Sequence, residues 1–301
     1  MCLILTASST PERSAAEKML PADTAAMKEI KLIAFDLDGT FLKDDKSIPD
    51  ENLKAISFAA SKGAVIVPAT GRLYKGIPEK IKALPFIRYY ILINGGEIYD
   101  AKENANIIRR EIPAELALEV YDYADTIDCL YDCYMDDTGK MSRDMYGRME
   151  DYFPDHNYLK EMIRLREPVD SLPDYIRDTG KSLQKIQLYF KDPGEREYQI
   201  AKMKEVFPDL IFSTSLASNI EINHKSAGKG KALEALCTAL GISIGNAAAF
   251  GDGTNDLEMI ETAGTGIAMD NAADSVKAAA KLIAGNNNDA GVAEMIYRIL
   301  K

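Results

Sequence analysis

The sequence predicts an α/β protein, a doubly wound parallel sheet with a second, α+β domain inserted into it. Three observations predict this. The apolar runs Leu32-Ile33-Ala34-Phe35, Ala64-Val65-Ile66-Val67-Pro68-Ala69 and Tyr90-Ile91-Leu92-Ile93 are continuous and not alternating, as strands buried on both faces are. Helical apolar spacing follows the first of them, and strand–helix–strand order implies parallel strands with right-handed crossovers. The alternation breaks near residue 107 and returns after residue 216, so one domain is built from both ends of the chain. The expected division is a sheet domain of residues 27–110 and 216–301, an inserted domain of residues 111–215, and a disordered or loosely packed leader of residues 1–26. A chain of 301 residues already exceeds the comfortable size of one core.

Each element has a local reason. Ser47-Ile48-Pro49-Asp50 has a capping serine with an acid three residues later, Leu53, Ile56 and Ala60 supply a buried helical face, and Gly63 ends it. A hairpin of residues 97–100 with 107–111 precedes a helix from Pro113 that carries Leu116, Val120 and Ile127. A strand at 129–135, a turn at Asp137-Thr138-Gly139-Lys140, a strand at 186–190, a helix from Glu195 and a strand pair at 210–215 and 219–222 complete the inserted domain. Between them, residues 140–182 have little periodicity. The βα rhythm then resumes: Leu233, Leu236, Cys237 and Leu240 line a helix ended by Gly241, and Ala247-Ala248-Ala249-Phe250 is a small-residue strand. A short helix with Leu257 and Ile260, a strand at 266–268, a helix capped by Asn271, Leu282-Ile283 and a closing helix with Val292, Met295, Ile296 and Ile299 follow.

Composition narrows the function. The net charge of −11 disfavours nucleic acid and anionic membrane surfaces, and no apolar run approaches a membrane span. The four cysteines form no Cys-x-x-Cys, and the two histidines, His156 and His224, lie far apart. A zinc centre and a Cys–His or Ser–His nucleophilic pair are therefore disfavoured, and scattered thiols fit a reducing cytoplasm.

Polar clusters at strand ends carry the chemistry. Asp36 and Asp38, in Asp36-Leu37-Asp38-Gly39-Thr40, share a side while the chain stays extended, at the strand end where open α/β sheets bind ligands. Such a pair can hold a hard cation and offer a nucleophile and an acid/base group, although alone it equally fits a solvated Asp-Gly turn. Thr70-Gly71-Arg72, Lys229 in Gly228-Lys229-Gly230-Lys231, and Gly251-Asp252-Gly253-Thr254-Asn255-Asp256 follow in order.

These four clusters together resemble the haloacid dehalogenase superfamily of phosphohydrolases, in its Cof-type branch with a large type IIB α/β cap. The resemblance covers nearly everything from Met27 to the C-terminus. It implies a Rossmann-like core with a cap, and a magnesium-dependent phosphatase of small phosphorylated metabolites, sugar phosphates foremost. In this resemblance Asp36 is nucleophile and Mg2+ ligand, and Asp38 is acid/base while its backbone carbonyl contacts the metal. Asp252 completes the ligands, Asp256 orients them from behind, and Thr70, Gly71, Lys229 and Asn255 hold the phosphoryl oxygens. Arg72 either contacts substrate or braces its loop, and Asn94, in Asn94-Gly95-Gly96, matches a substrate-facing loop or a plain turn. In the cap, Tyr131, Asp132, Tyr134 and Arg143 are candidate substrate readers, tyrosines there being more often packing residues. His224 near Lys229 reads as a loop residue. A phosphomutase and a catalytically silent phosphate-ligand sensor are the alternatives, and oligomeric state stays open.

Overall fold

The computed structural model describes residues 29–153, 155–215 and 218–301, so the expected leader of residues 1–26 and the expected domain start at Met27 lie outside the described residues. The sheet domain opens with β1 (Leu32–Phe35), β2 (Val65–Pro68), β3 (Tyr89–Leu92), β4 (Glu97–Asp100) and β5 (Ala105–Arg109). The inserted domain contributes β6 (Leu130–Met135), β7 (Thr138–Ser142), β8 (Arg166–Val169), β9 (Lys185–Tyr189), β10 (Leu210–Ser213) and β11 (Asn219–His224). The chain returns with β12 (Ala247–Gly251), β13 (Thr265–Ala268) and β14 (Leu282–Ile283).

Five strands form a parallel sheet in the order β14-β13-β12-β1-β2, with β1 at its interior, Ile33 facing Ala248 on one side and Ile66 on the other. The unbroken apolar run of β1 has a direct cause. Ile33 and Phe35 pack among residues of the helices Asp50–Ser61 and Gly291–Ile299, while Leu32 and Ala34 pack with Leu233 and Leu236 of the helix Lys229–Ala239. The third strand expected in this sheet joins it only through a parallel bridge, Ala69 to Ile91, and otherwise pairs antiparallel with β4. No helix among the described residues is long and apolar enough to cross a membrane.

The inserted domain is a six-stranded sheet in the order β10-β11-β9-β6-β7-β8. The helices Ala114–Ala124, Leu172–Thr179 and Pro193–Val206 cover one face, burying Val120, Ile176 and Met203 against Cys133, Ile186, Leu188 and Ile222. Because β11 pairs with both β9 and β10, this sheet runs past the boundary expected at residue 215, to His224.

Several local expectations differ from the structure. Ser47 does not cap its helix; its hydroxyl donates to Asp45, and Pro49 precedes the first turn. Asn271 likewise leaves capping aside and spans outward, its amide donating to the Gly39 carbonyl and its oxygen accepting from the Asn287 N–H. The turn expected over 137–140 sits at Asp136 and Asp137, with φ of 51° and 58°. Two adjacent left-handed residues suit a tight hairpin, and aspartate tolerates that region. Thr138 to Lys140 are already strand. The partner of β4 starts at residue 105 and not 107, with a bulge between Ile98 and Tyr99. Residues 140–182, where periodicity fails, hold short pieces including the helix His156–Leu165 and β8.

Candidate active site

The end of β1 builds the first wall. The chain leaves the sheet at Asp36, whose N–H still donates to the Phe250 carbonyl, and then folds back through Gly39 at φ 76°. A Cβ on Gly39 would overlap the Asp252 carboxylate, so only glycine lets the two strand ends come this close. Thr40 Oγ1 donates to Asp252 Oδ1 at 2.6 Å, tying the β1 turn to the end of β12.

Three carboxylates, Asp36, Asp252 and Asp256, place oxygens within 4.8 Å of one another. Lys229, at the start of its helix and fully buried, donates from Nζ to Asp36 Oδ1 at 2.8 Å and to Asp256 Oδ1 at 2.6 Å. Burial would lower the lysine pKa, but the attraction of Asp256 and Asp36 outweighs it and raises it, keeping the ammonium charged. One cation does not balance three carboxylates. Burial, opposed by Lys229 but reinforced by the neighbouring aspartates, pushes the Asp36 carboxyl well up; burial and Asp256 push Asp252 up to about 7. Asp256 has both oxygens committed, Oδ1 to Lys229 and Oδ2 to the N–H groups of Asp252 and Gly253, so it holds the loop in shape. An oxygen-only cluster with this excess of negative charge fits a divalent hard cation. Asp36 and Asp252 are the residues that could hold such a cation, with Asp256 behind them.

Asp38 turns away from that cluster. Asp36 is still extended, but a helical turn over Leu37–Phe41 follows it, and the Asp38 carboxylate accepts from Arg72 Nε and Nη2, both at 2.7 Å, and from Lys46 Nζ at 2.8 Å. Burial works to raise its pKa, and these two cations overcome it and hold the carboxyl well below the usual range. Arg72 therefore braces its loop, adding a bond to the Gly76 carbonyl.

Thr70 is buried at the end of β2, and its Oγ1 accepts from the Arg72 N–H at 3.3 Å. Asn94 lies in a strained turn with Ile93, Asn94 and Gly95 at φ of 54°, 55° and 85°, and a β-branched residue there is a genuine outlier. A Cβ on Gly95 would overlap the Gly228 carbonyl, so this turn packs directly against the residue preceding Lys229. Asn255 Nδ2 donates to Asn94 Oδ1 at 3.2 Å, joining the Asn94 turn to the loop after β12.

Other candidates have partners of their own, and Tyr134 lies with its ring centroid 4.6 Å from Lys185 Nζ. Arg143 is 65% exposed and paired with Asp170. Tyr131 packs in the cap core and donates to Asp125, Asp132 is bonded to Arg166, Gln187 and Tyr189, and Tyr134 packs into the apolar cluster of the sheet domain. His224 Nδ1 lies 2.7 Å from Ser226 Oγ. Lys225 and Lys231 bind Asp209 and the Lys225 carbonyl respectively. Burial pushes the Cys129 and Cys237 thiols up to about 12 and about 11, leaving them protonated at neutral pH.

Sequence reading missed Lys185, Glu221 and Asn223. Lys185 Nζ donates to the Gly71 carbonyl at 2.8 Å and to Glu221 Oε1 at 3.0 Å; Glu221 Oε2 accepts from Asn94 Nδ2 at 2.6 Å. Asn223 Nδ2 reaches the Ile93 carbonyl at 3.3 Å. The available signal is alternation: Lys185, Gln187 and Tyr189, then Asn219, Glu221 and Asn223, put polar groups on one face of strands whose other face is core.

A family model described as haloacid dehalogenase-like hydrolase matches residues 33–296. A 5-amino-6-(5-phospho-D-ribitylamino)uracil phosphatase of Bacillus subtilis is 32% identical over 276 residues, covering 89% of this chain and 95% of that protein. A haloacid dehalogenase-like hydrolase of Bacteroides thetaiotaomicron superposes with a TM-score of 0.76 at 26% identity, covering 90% of this chain and 100% of that one. A subclass IIB sugar phosphatase shares the fold, with a TM-score of 0.75 at 20% identity over 89% of this chain and 98% of that one.

Proposed function

The chain belongs to the haloacid dehalogenase-like hydrolase family and is a phosphoric monoester hydrolase, and from that premise we propose that it is a cytoplasmic, Mg2+-dependent phosphatase of small sugar or polyol phosphates. The observation that carries this is the meeting of Asp36, Lys229 and Asp252 from three distant chain segments at one sheet edge. The names of the ribitylaminouracil phosphatase and the subclass IIB sugar phosphatase support the substrate class.

In this reading a carboxylate oxygen of Asp36 attacks phosphorus and the substrate ester oxygen leaves, giving an aspartyl phosphate. Asp36, Asp252 and the Asp38 backbone carbonyl would hold Mg2+, whose charge would offset the repulsion between carboxylate and phosphate. Lys229, already bonded to Asp36, orients that carboxylate and faces the phosphoryl charge, with Thr70, the Gly71 N–H and Asn255 as further donors. Asp38, ionised beside Arg72 and Lys46, must take up a proton on leaving them before it can give that proton to the departing oxygen, and it later takes one from the attacking water. Its present bonds to Arg72 and Lys46 require it to turn off them as the leaving group arrives.

The test is a screen of phosphorylated metabolites for inorganic phosphate release, with and without Mg2+, in wild type and Asp36→Asn. Metal-dependent release that the variant abolishes is expected. Near-normal turnover by Asp36→Asn would remove the nucleophile assignment, and isomerised sugar phosphate without phosphate release would favour a mutase.

A further inference from the structure

The inserted sheet presents an unusual buried face to the sheet domain. Its neighbouring strands β9 and β11 place Lys185, Glu221 and Asn223 there, with relative exposures of 1%, 4% and 1%. A buried ion pair is tolerated when its remaining donors and acceptors are satisfied. Ser215 and the Gln184 carbonyl supply bonds to Glu221 and Asn223 from within the inserted domain, and further partners belong to the other domain, on the two loops that carry the phosphate-side groups: the Gly71 carbonyl for Lys185, the Asn94 amide for Glu221 and the Ile93 carbonyl for Asn223.

Each contact fixes more than itself. The peptide unit whose carbonyl Lys185 holds is the one whose N–H, on Arg72, donates to Thr70 Oγ1. A hydroxyl that accepts there keeps its own proton to donate to a phosphoryl oxygen. Glu221 is ionised: burial would raise its pKa, but Lys185 and the hydrogen bonds lower it. An ionised carboxylate only accepts, so it compels Asn94 to face it with Nδ2. Asn94 Oδ1 then points to Asn255 and takes one of its two amide protons. Both relays start on the cap and end on residues assigned to the phosphoryl group.

We infer that Lys185 and Glu221 are positioning residues: the cap ion pair sets the Thr70–Gly71–Arg72 peptide and the Asn94–Asn255 amides, so the phosphate-side donors are correctly aimed only when the cap is seated. This rests on the phosphatase reading above. It differs from leaving-group recognition in one decisive respect. Residues that read substrate hydroxyls matter only for substrates that have them, whereas residues that aim the phosphate donors matter for every phosphate.

The experiment uses the full chain with Mg2+, p-nitrophenyl phosphate as a substrate without hydroxyls, and inorganic phosphate as a competitive inhibitor. Lys185→Met and Glu221→Gln are each expected to lower kcat on the aryl phosphate by about tenfold or more, the scale of one charge-assisted hydrogen bond. The inhibition constant for inorganic phosphate should rise in parallel. The double variant Lys185→Met with Glu221→Met leaves no unpaired buried charge, so it keeps the test open where a single variant fails to fold, and it should show the same two losses. Folded variants with wild-type kcat and phosphate inhibition overturn the inference, as does a loss confined to KM for sugar phosphates. A wild-type protein that neither cleaves the aryl phosphate nor binds inorganic phosphate fails the phosphatase reading, and this inference falls with it.

Discussion

Replacing Lys229 with methionine separates burial from distance as the source of an ion pair's worth. Two lysine–aspartate contacts at this sheet edge have the same length: Lys229 to Asp36 and Lys46 to Asp38, each 2.8 Å. Lys229 and Asp36 side chains are 0% and 8% exposed; Lys46 and Asp38 are 57% and 38% exposed. Lys229 also serves Asp256, at 2.6 Å with neither side chain exposed. Removing one member of a buried pair destabilises by about 3–5 kcal/mol, because the remaining charge is left without a partner. An exposed pair is worth about 0–1 kcal/mol. Lys229→Met should therefore lose about 3–5 kcal/mol in urea unfolding with chelator present, and Lys46→Met under about 1 kcal/mol. The loss should grow with pH. Without the ammonium, the carboxyl pKa values of Asp36 and Asp252 rise further in the folded state than in the unfolded chain. Stability held in their protonated forms is then lost as pH rises through them. Phosphate release should fall by about 10²–10³-fold, the scale of one lost oxyanion donor. Equal urea midpoints for the two variants, with turnover intact in Lys229→Met, would refute the reasoning.

Glu97 is buried beside Gln184 and Arg109; burial, opposed by those two partners, raises its pKa from the ordinary 4.5 to about 7. A raised folded-state value means stability present below about pH 4.5 and lost as pH climbs toward 7, roughly 3 kcal/mol in all. Glu97→Gln should flatten that part of the stability–pH curve, which urea midpoints at pH 5 and pH 7.5 would check. Gly95→Ala should destabilise by roughly 3 kcal/mol and lower turnover, since the new Cβ would overlap the Gly228 carbonyl at φ 85°; a melting curve and a phosphate-release assay test both. Mg2+ should raise the melting temperature of the wild type, and do so less in Asp252→Asn, because a ligand that binds only the folded state stabilises it.

Much of the fold was legible because burial on two faces leaves a continuous apolar run, and Leu32–Phe35, Val65–Pro68 and Ala247–Gly251 carry such runs. The four polar clusters were legible because each follows or precedes an element whose end is marked by glycine. Local signals failed where a side chain had a better partner far away. Asn271 has the spacing of a cap, yet it bridges Gly39 and Asn287. The hairpin turn slid to Asp136 and Asp137 because strand pairing, not the Asp-Thr-Gly-Lys string, sets its register.

The chain by itself determined which polar residues stand at the ends of elements: an aspartate after β1, a lysine opening a helix and an aspartate after β12. Tertiary structure alone decided which partners each one meets. Asp36 and Asp38 are neighbours in sequence, but the backbone turns between them, so one faces Lys229 and the other Arg72 and Lys46. Only the meeting of two domains shows that Lys185 and Glu221 reach Gly71 and Asn94. The reason is physical. Apolar pattern and strand-end chemistry are local, written within a few residues, whereas a buried charge is placed by partners more than a hundred residues away.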